Sequence, residues 1–112
     1  MSVQSEHIYE LLYNIFPHNK VVKEHYVNFK GQQLFFDIYI KDYSLLFEIQ
    51  GRQHSEYVKH FHVDKQGFLD SKKRDNLKIQ YCQEKDICLV IINYDEALTS
   101  NELIDKINKC IK

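Results

Sequence analysis

A chain of 112 residues, 44% hydrophobic and 28% charged, has the balance of one globular domain: enough to bury a single core, too little for two, and too apolar for disorder. Its formal net charge of -1 argues against a protein that holds polyanions through overall charge alone. No apolar run approaches the ~20 residues of a membrane span, and the opening MSVQSEHIYE lacks the basic and apolar zones of a secretory leader, so an intracellular protein is expected.

Ile8, Leu11, Leu12, Ile15 and Phe16 recur at helical spacing until Pro17 stops the pattern, which predicts a helix over roughly residues 3–15. Val21-Val22 and the alternating Tyr26-Val27-Asn28-Phe29, closed by Lys30-Gly31, have strand composition followed by a turn. From Gln33 to Ile40 and from Ser44 to Gln50, β-branched and aromatic residues flank the polar break Lys41-Asp42-Tyr43, a pattern that predicts a hairpin. After Gly51 the chain becomes polar and histidine-rich, and a flexible loop is expected. From about Gly67 to Lys85 the spacing is helical, with Phe68, Ser71, Asp75, Ile79 and Cys82 near one stripe and Leu77 and Tyr81 near another. Cys88-Leu89-Val90-Ile91-Ile92 is a continuous apolar run, as in a strand buried on both faces. Thr99-Ser100-Asn101-Glu102 then offers a capping box for a last helix that turns Leu103, Ile104, Ile107 and Ile111 inward.

The order α-β-β-β-α-β-α predicts one α/β domain over residues 1–112, with a mixed central sheet of about four strands flanked by helices. Cys82, Cys88 and Cys110 form an odd set without CxxC spacing; they are expected as buried thiols, not as a disulfide framework or a zinc site.

Alternation along Phe35-Phe36-Asp37-Ile38-Tyr39-Ile40 sets Asp37 opposite in facing to Phe36, Ile38 and Ile40. In the next strand Glu48 and Gln50 share a face opposite to Leu45, Phe47 and Ile49. A turn centred between Asp42 and Tyr43 brings Asp37 directly across from Glu48. Opposed like charges destabilise a ladder, and a hard divalent cation offsets that repulsion. A different register, or two acids facing water, leaves the pair without a shared task; spacing alone does not decide between these readings.

The run FFDIYIKDYSLLFEIQGRQH resembles the core of PD-(D/E)XK nucleases, in which an Asp on one strand precedes an acid-x-Lys triplet on the next. Gln50 stands where that family usually has its lysine. Glu6, Asp37, His54 and Asp75 are similar to the four residues of the EDxHD motif of homing endonucleases in the very-short-patch repair (Vsr-like) branch, with Glu10 and Glu24 as nearby alternatives for the first. FEIQGRQH, RDNLKIQYC and ICLVIINY continue the likeness, which spans roughly residues 2–95.

The resemblance implies a restriction-endonuclease-like three-layer fold and an Mg²⁺-dependent endonuclease, with Mn²⁺ able to substitute, acting on DNA in the cytoplasm of a bacterial or phage-infected cell. It implies catalytic roles for Glu6, Asp37, Glu48, Gln50, His54 and Asp75 and a metal set of Asp37, Glu48 and Ile49. His54 suits a general base near neutral pH, and Asp75 suits an outer carboxylate that fixes its tautomer or reaches the metal through water. No small-molecule cofactor or membrane partner is expected.

Arg52, Lys72, Lys73 and Lys78 make the middle of the chain locally basic and are the candidate DNA contacts, although charge runs on helices are usually solvated faces. His60-x-His62 lacks a second ligand pair for a transition metal, and Tyr57 and Phe61 are candidates for base stacking. So short a domain has little surface for reading sequence, which leaves room for a homodimer. A degenerate member that binds without cleaving, and a nuclease acting on RNA or branched DNA, are the competing functions.

Overall fold

In the computed structural model, which describes residues 3–50, 65–93 and 96–111, the elements follow the expected order. Helix α1 (Val3–Ile15) leads into strands β1 (Val22–Phe29), β2 (Gln32–Ile40) and β3 (Leu45–Gln50). Helix α2 (Lys65–Glu84), strand β4 (Cys88–Asn93) and helix α3 (Ser100–Ile111) complete the chain. The sheet is mixed, in the order β1-β2-β3-β4, with only the β3–β4 pair parallel. Parallel neighbours need a crossover, and the excursion through α2 supplies it.

Local chemistry sets the turns. Lys30 and Gly31 link β1 to β2 with φ of 52° and 78°, the positive pair that a two-residue hairpin loop requires. A short 3-10 turn, Lys41–Tyr43, links β2 to β3 and ends at Ser44 in the left-handed conformation, whose amide donates to the Lys41 carbonyl at 3.0 Å. Helix α2 ends in a Schellman motif: Asp86 has φ 56°, the Ile87 amide donates to the Cys82 carbonyl at 2.8 Å and the Asp86 amide to that of Gln83 at 3.4 Å. The capping box of α3 forms as expected, with the Thr99 amide on Glu102 Oε1 at 3.0 Å and the Glu102 amide on Thr99 Oγ1 at 3.3 Å. That hydrogen bonding holds the Glu102 carboxyl below its ordinary range.

Two apolar clusters sandwich the sheet. On one face Ile38, Ile40, Leu45, Phe47, Val90 and Ile92 pack with Ile8 and Leu12 of α1 and Leu103 and Ile107 of α3. On the other, Leu34, Phe36 and Leu46 pack with Cys82 of α2. Full burial of such side chains contributes about 1.5–3 kcal/mol each. β3 and β4 are covered on both sides, which accounts for their unbroken apolar runs. No described helix is long and apolar enough to cross a membrane.

Ile111, expected inward, is 52% exposed at the end of α3, and of the three thiols expected buried only Cys82 is, Cys88 and Cys110 being partly exposed. A further expectation fails in the sheet. Strict alternation places Phe36 with Ile38 and Ile40, yet Phe36 packs against α2 while Ile38 and Ile40 pack against α1 and α3. The cause is a paired defect in the β1–β2 ladder. Lys23 pairs with Ile38 and His25 with Phe36, but Glu24 and Asp37 between them drop out, and Glu24 takes φ 55°. Both strands therefore change faces at the same point, as at a bulge. Lys23, on one side of it, meets Glu6 and Tyr9 of α1; Val27 and Phe29, on the other, pack toward α2. The stacked rings of His25 and Tyr39, 4.2 Å apart, bridge the kink.

Candidate active site

The change of face falls on Asp37, which is also where β2 and β3 part. Their ladder runs Ile40↔Leu45, Tyr39↔Leu46, Ile38↔Phe47 and ends there, in the register that sets Asp37 across from Glu48. Beyond it, side chains take over the role of backbone carbonyls. The Asp37 amide donates to Glu48 Oε1 at 3.3 Å, and the Ile49 amide donates to Asp37 Oδ2 at 2.8 Å. Each carboxylate is thus anchored by the backbone of the opposite strand. The fork keeps two acids together without the side-by-side clash of a regular ladder.

The second oxygen of Glu48 accepts from Lys78 Nζ of α2 at 2.7 Å, in an ion pair whose side chains are only 14% and 8% exposed. The lysine reaches this point with its ammonium 5.5 Å from the centre of the Phe36 ring, a cation–π approach that offsets part of its desolvation. Burial still pushes the Glu48 carboxyl above its ordinary value; the charge and hydrogen bond of Lys78 oppose that shift, while Asp37 adds to it through its charge and opposes it through its amide. Burial thus outweighs the support that Glu48 draws from its ion pair.

Beside it lies a cavity of about 20 Å³ lined by Glu48, Gln50, Leu89 and Ile91 of the sheet and by Asp75, Lys78 and Ile79 of α2. That is room for one water-sized body. A wider cleft of about 400 Å³ opens at Glu24, Phe35, Phe36 and Asp37, so Asp37 stands on the edge of a space large enough for a substrate group. Next to it Phe35 and Tyr26 form an exposed aromatic pair with centroids 5.1 Å apart.

Of the residues expected from the sequence, Asp37, Glu48, Gln50 and Asp75 are brought together with Lys78, and Ile49 contributes its amide. Glu6 does not join them: its carboxylate is held by Lys23 at 3.1 Å on the α1 side. Lys73 is exposed and lines a separate hollow with Gln32, Asp70, Arg74 and Leu77, near the β1–β2 turn. Lys78, expected among the DNA contacts of the helix surface, instead points inward. Residues 75, 78 and 82 share one helix face, but a lysine within a basic run does not mark itself as buried. Arg52, His54, Tyr57, His60, Phe61 and His62 lie outside the described residues.

The donors suit a hard cation. Asp37 Oδ1 has no hydrogen-bond partner among the described residues, burial disfavours the charge on Glu48, and Glu48, Gln50 and Asp75 all offer side-chain oxygen to the small cavity. Among the described residues no cluster of three or more His, Cys, Asp or Glu side chains is placed to hold a metal. Two carboxylates, completed by water and a substrate phosphate, are the usual protein share for Mg²⁺.

Comparison with known proteins leaves the family open. No family model matches the chain, and no solved structure matches it. A stretch of 58 residues, 52% of this chain, is 33% identical to uncharacterized protein 307L of Invertebrate iridescent virus 6, of which it covers 29%. The chain thus corresponds to less than a third of that protein.

Proposed function

We propose that this chain is a metal-dependent endonuclease domain of the restriction-endonuclease-like fold that hydrolyses DNA phosphodiester bonds. The observation that carries the reading is the Asp37–Glu48 fork, two carboxylates pinned by each other's strands, with Asp37 at the edge of a cleft. Nothing in the packing of a plain hairpin calls for it, since the arrangement ends the ladder and buries a charge. The element order and the placement of α1 and α3 on one face and α2 on the other are consistent with the three-layer fold that the FFDIYIKDYSLLFEIQ motif implies.

Asp37 and Glu48 are the metal ligands in this reading. A divalent cation there supplies two things, polarisation of the phosphoryl oxygen and a more acidic water. The Ile49 amide fixes the direction of the Asp37 carboxylate, and the Asp37 amide does the same for Glu48. Asp75 and Gln50 shape the small cavity beside Glu48. His54, six residues beyond Glu48 in the sequence, is the proposed general base. Incubating supercoiled plasmid with the purified protein and Mg²⁺, Mn²⁺ or EDTA tests the proposal: cleavage that requires the metal supports it, and metal-independent cleavage contradicts it.

One observation favours a second reading. Glu48 already has a cation, Lys78, and Gln50 replaces the usual lysine; both suit a member that binds nucleic acid without cutting it. Such a protein would retard the plasmid on a gel and leave it supercoiled in every metal. A panel of RNA and branched DNA separates the remaining substrate classes.

A further inference from the structure

A phosphodiesterase site needs Glu48 as a ligand, but it does not need that carboxylate tied up in an ion pair. Lysine normally keeps its ammonium in water and buries only its stem, whereas Lys78 Nζ sits 2.7 Å from Glu48 Oε2 with its side chain 14% exposed. Both oxygens of Glu48 are occupied, one by the Asp37 amide and one by Lys78. The adjoining space, about 20 Å³, is lined by Lys78 itself. A second positive charge there would meet the ammonium at short range in a poorly solvated setting, where like charges repel far more strongly than in water.

We propose that Lys78 is a stand-in counter-ion: it neutralises Glu48 while no divalent cation is bound, and it competes with the cation for that carboxylate. The inference rests on the metal-binding reading of the Asp37–Glu48 fork. Its place in the fold makes the exchange feasible. Lys78 lies within α2, held by Leu77, Tyr81 and Cys82 packing against the sheet, so the helix stays put while the flexible lysine stem swings away. Asp75, one turn earlier on the same face, borders the same cavity. The fold thus stays intact without metal, at the cost of weaker metal affinity.

The test is calorimetric titration of Mn²⁺ into the intact wild-type protein, Lys78→Gln, Lys78→Arg and Asp37→Asn, in mildly alkaline buffer. Glutamine retains a hydrogen bond to Glu48 and removes the charge, so Lys78→Gln keeps the fold; a melt of each metal-free variant checks this. Lys78→Gln is expected to bind Mn²⁺ at least tenfold more tightly than wild type and to gain more melting temperature from it. Lys78→Arg, which keeps the charge, gains neither, and Asp37→Asn binds least. Equal or weaker Mn²⁺ binding by Lys78→Gln, with wild type binding normally, overturns the stand-in role and leaves the metal site standing. Mn²⁺ binding by none of the proteins overturns the metal site, and the inference falls with it.

Discussion

Replacing Lys78 with methionine isolates the electrostatics of the site in the absence of metal. The substitution keeps the stem against Phe36 and deletes the only cation bonded to Glu48 among the described residues. Removing one partner of a buried ion pair costs about 3–5 kcal/mol when the other charge is left uncompensated, and with both side chains 14% or less exposed there is little solvent to soften the loss. Glu48 has an escape, since it can take up a proton. Burial already raises its carboxyl in the wild type, and Lys78→Met removes both influences of Lys78 that oppose the rise.

The sign follows from linkage. A carboxyl whose folded pKa lies above its unfolded value of 4.5 favours the fold in its protonated form, and that contribution disappears as pH rises through the folded pKa. Lys78→Met is therefore expected to be about 3 kcal/mol less stable than wild type at neutral pH, with the deficit shrinking as pH falls toward the unfolded value. Urea unfolding in EDTA across that range measures it. Lys78→Met with Glu48→Gln, which removes both charges, returns to within about 1 kcal/mol of wild type. A deficit that does not change with pH, or one that the double substitution fails to repair, would mean that Lys78 does not stabilise the fold through the Glu48 charge.

Other expectations are independent of that pair. His54→Ala should slow cleavage by about 10²- to 10⁴-fold with Mn²⁺ affinity nearly unchanged, the signature of a general base and not a ligand, read from single-turnover rates and calorimetry. If Lys72 and Lys73 touch phosphates, removing each should flatten the dependence of log affinity on log salt by about 0.9, equally on unrelated sequences, in binding titrations of Asp37→Asn. Asp86→Gly should stabilise the protein by about 0.5–1 kcal/mol in urea unfolding, because the left-handed conformation at this helix end carries no strain for glycine.

How far the sequence reveals the fold depends on the type of signal. The β2–β3 register was legible because a short connection between two strongly apolar strands leaves few pairings, and one of them sets Asp37 against Glu48. The capping box at Thr99 and Glu102 was legible because it is local chemistry. The change of face at Glu24 and Asp37 was not: period-two alternation assumes an unbroken ladder, and a glutamate with positive φ has no sequence mark of the kind a glycine gives. Lys78 was hidden for a related reason. A lysine within the run Lys72, Lys73, Arg74 and Lys78 reads as part of a solvated face, and only the fork beneath it creates a buried partner. The two features missed are the two that give the site its form.

Whether Asp37 and Glu48 together make a metal-dependent cleavage site is read by comparing Asp37→Asn with wild type on supercoiled plasmid in Mg²⁺, with an EDTA control. Asparagine can still accept the Ile49 amide and removes one of two neighbouring negative charges, so Asp37→Asn should melt in EDTA no lower than wild type. Cleavage by the wild type that EDTA abolishes, and none by the equally folded variant, is expected. Undiminished cutting by Asp37→Asn contradicts such a site.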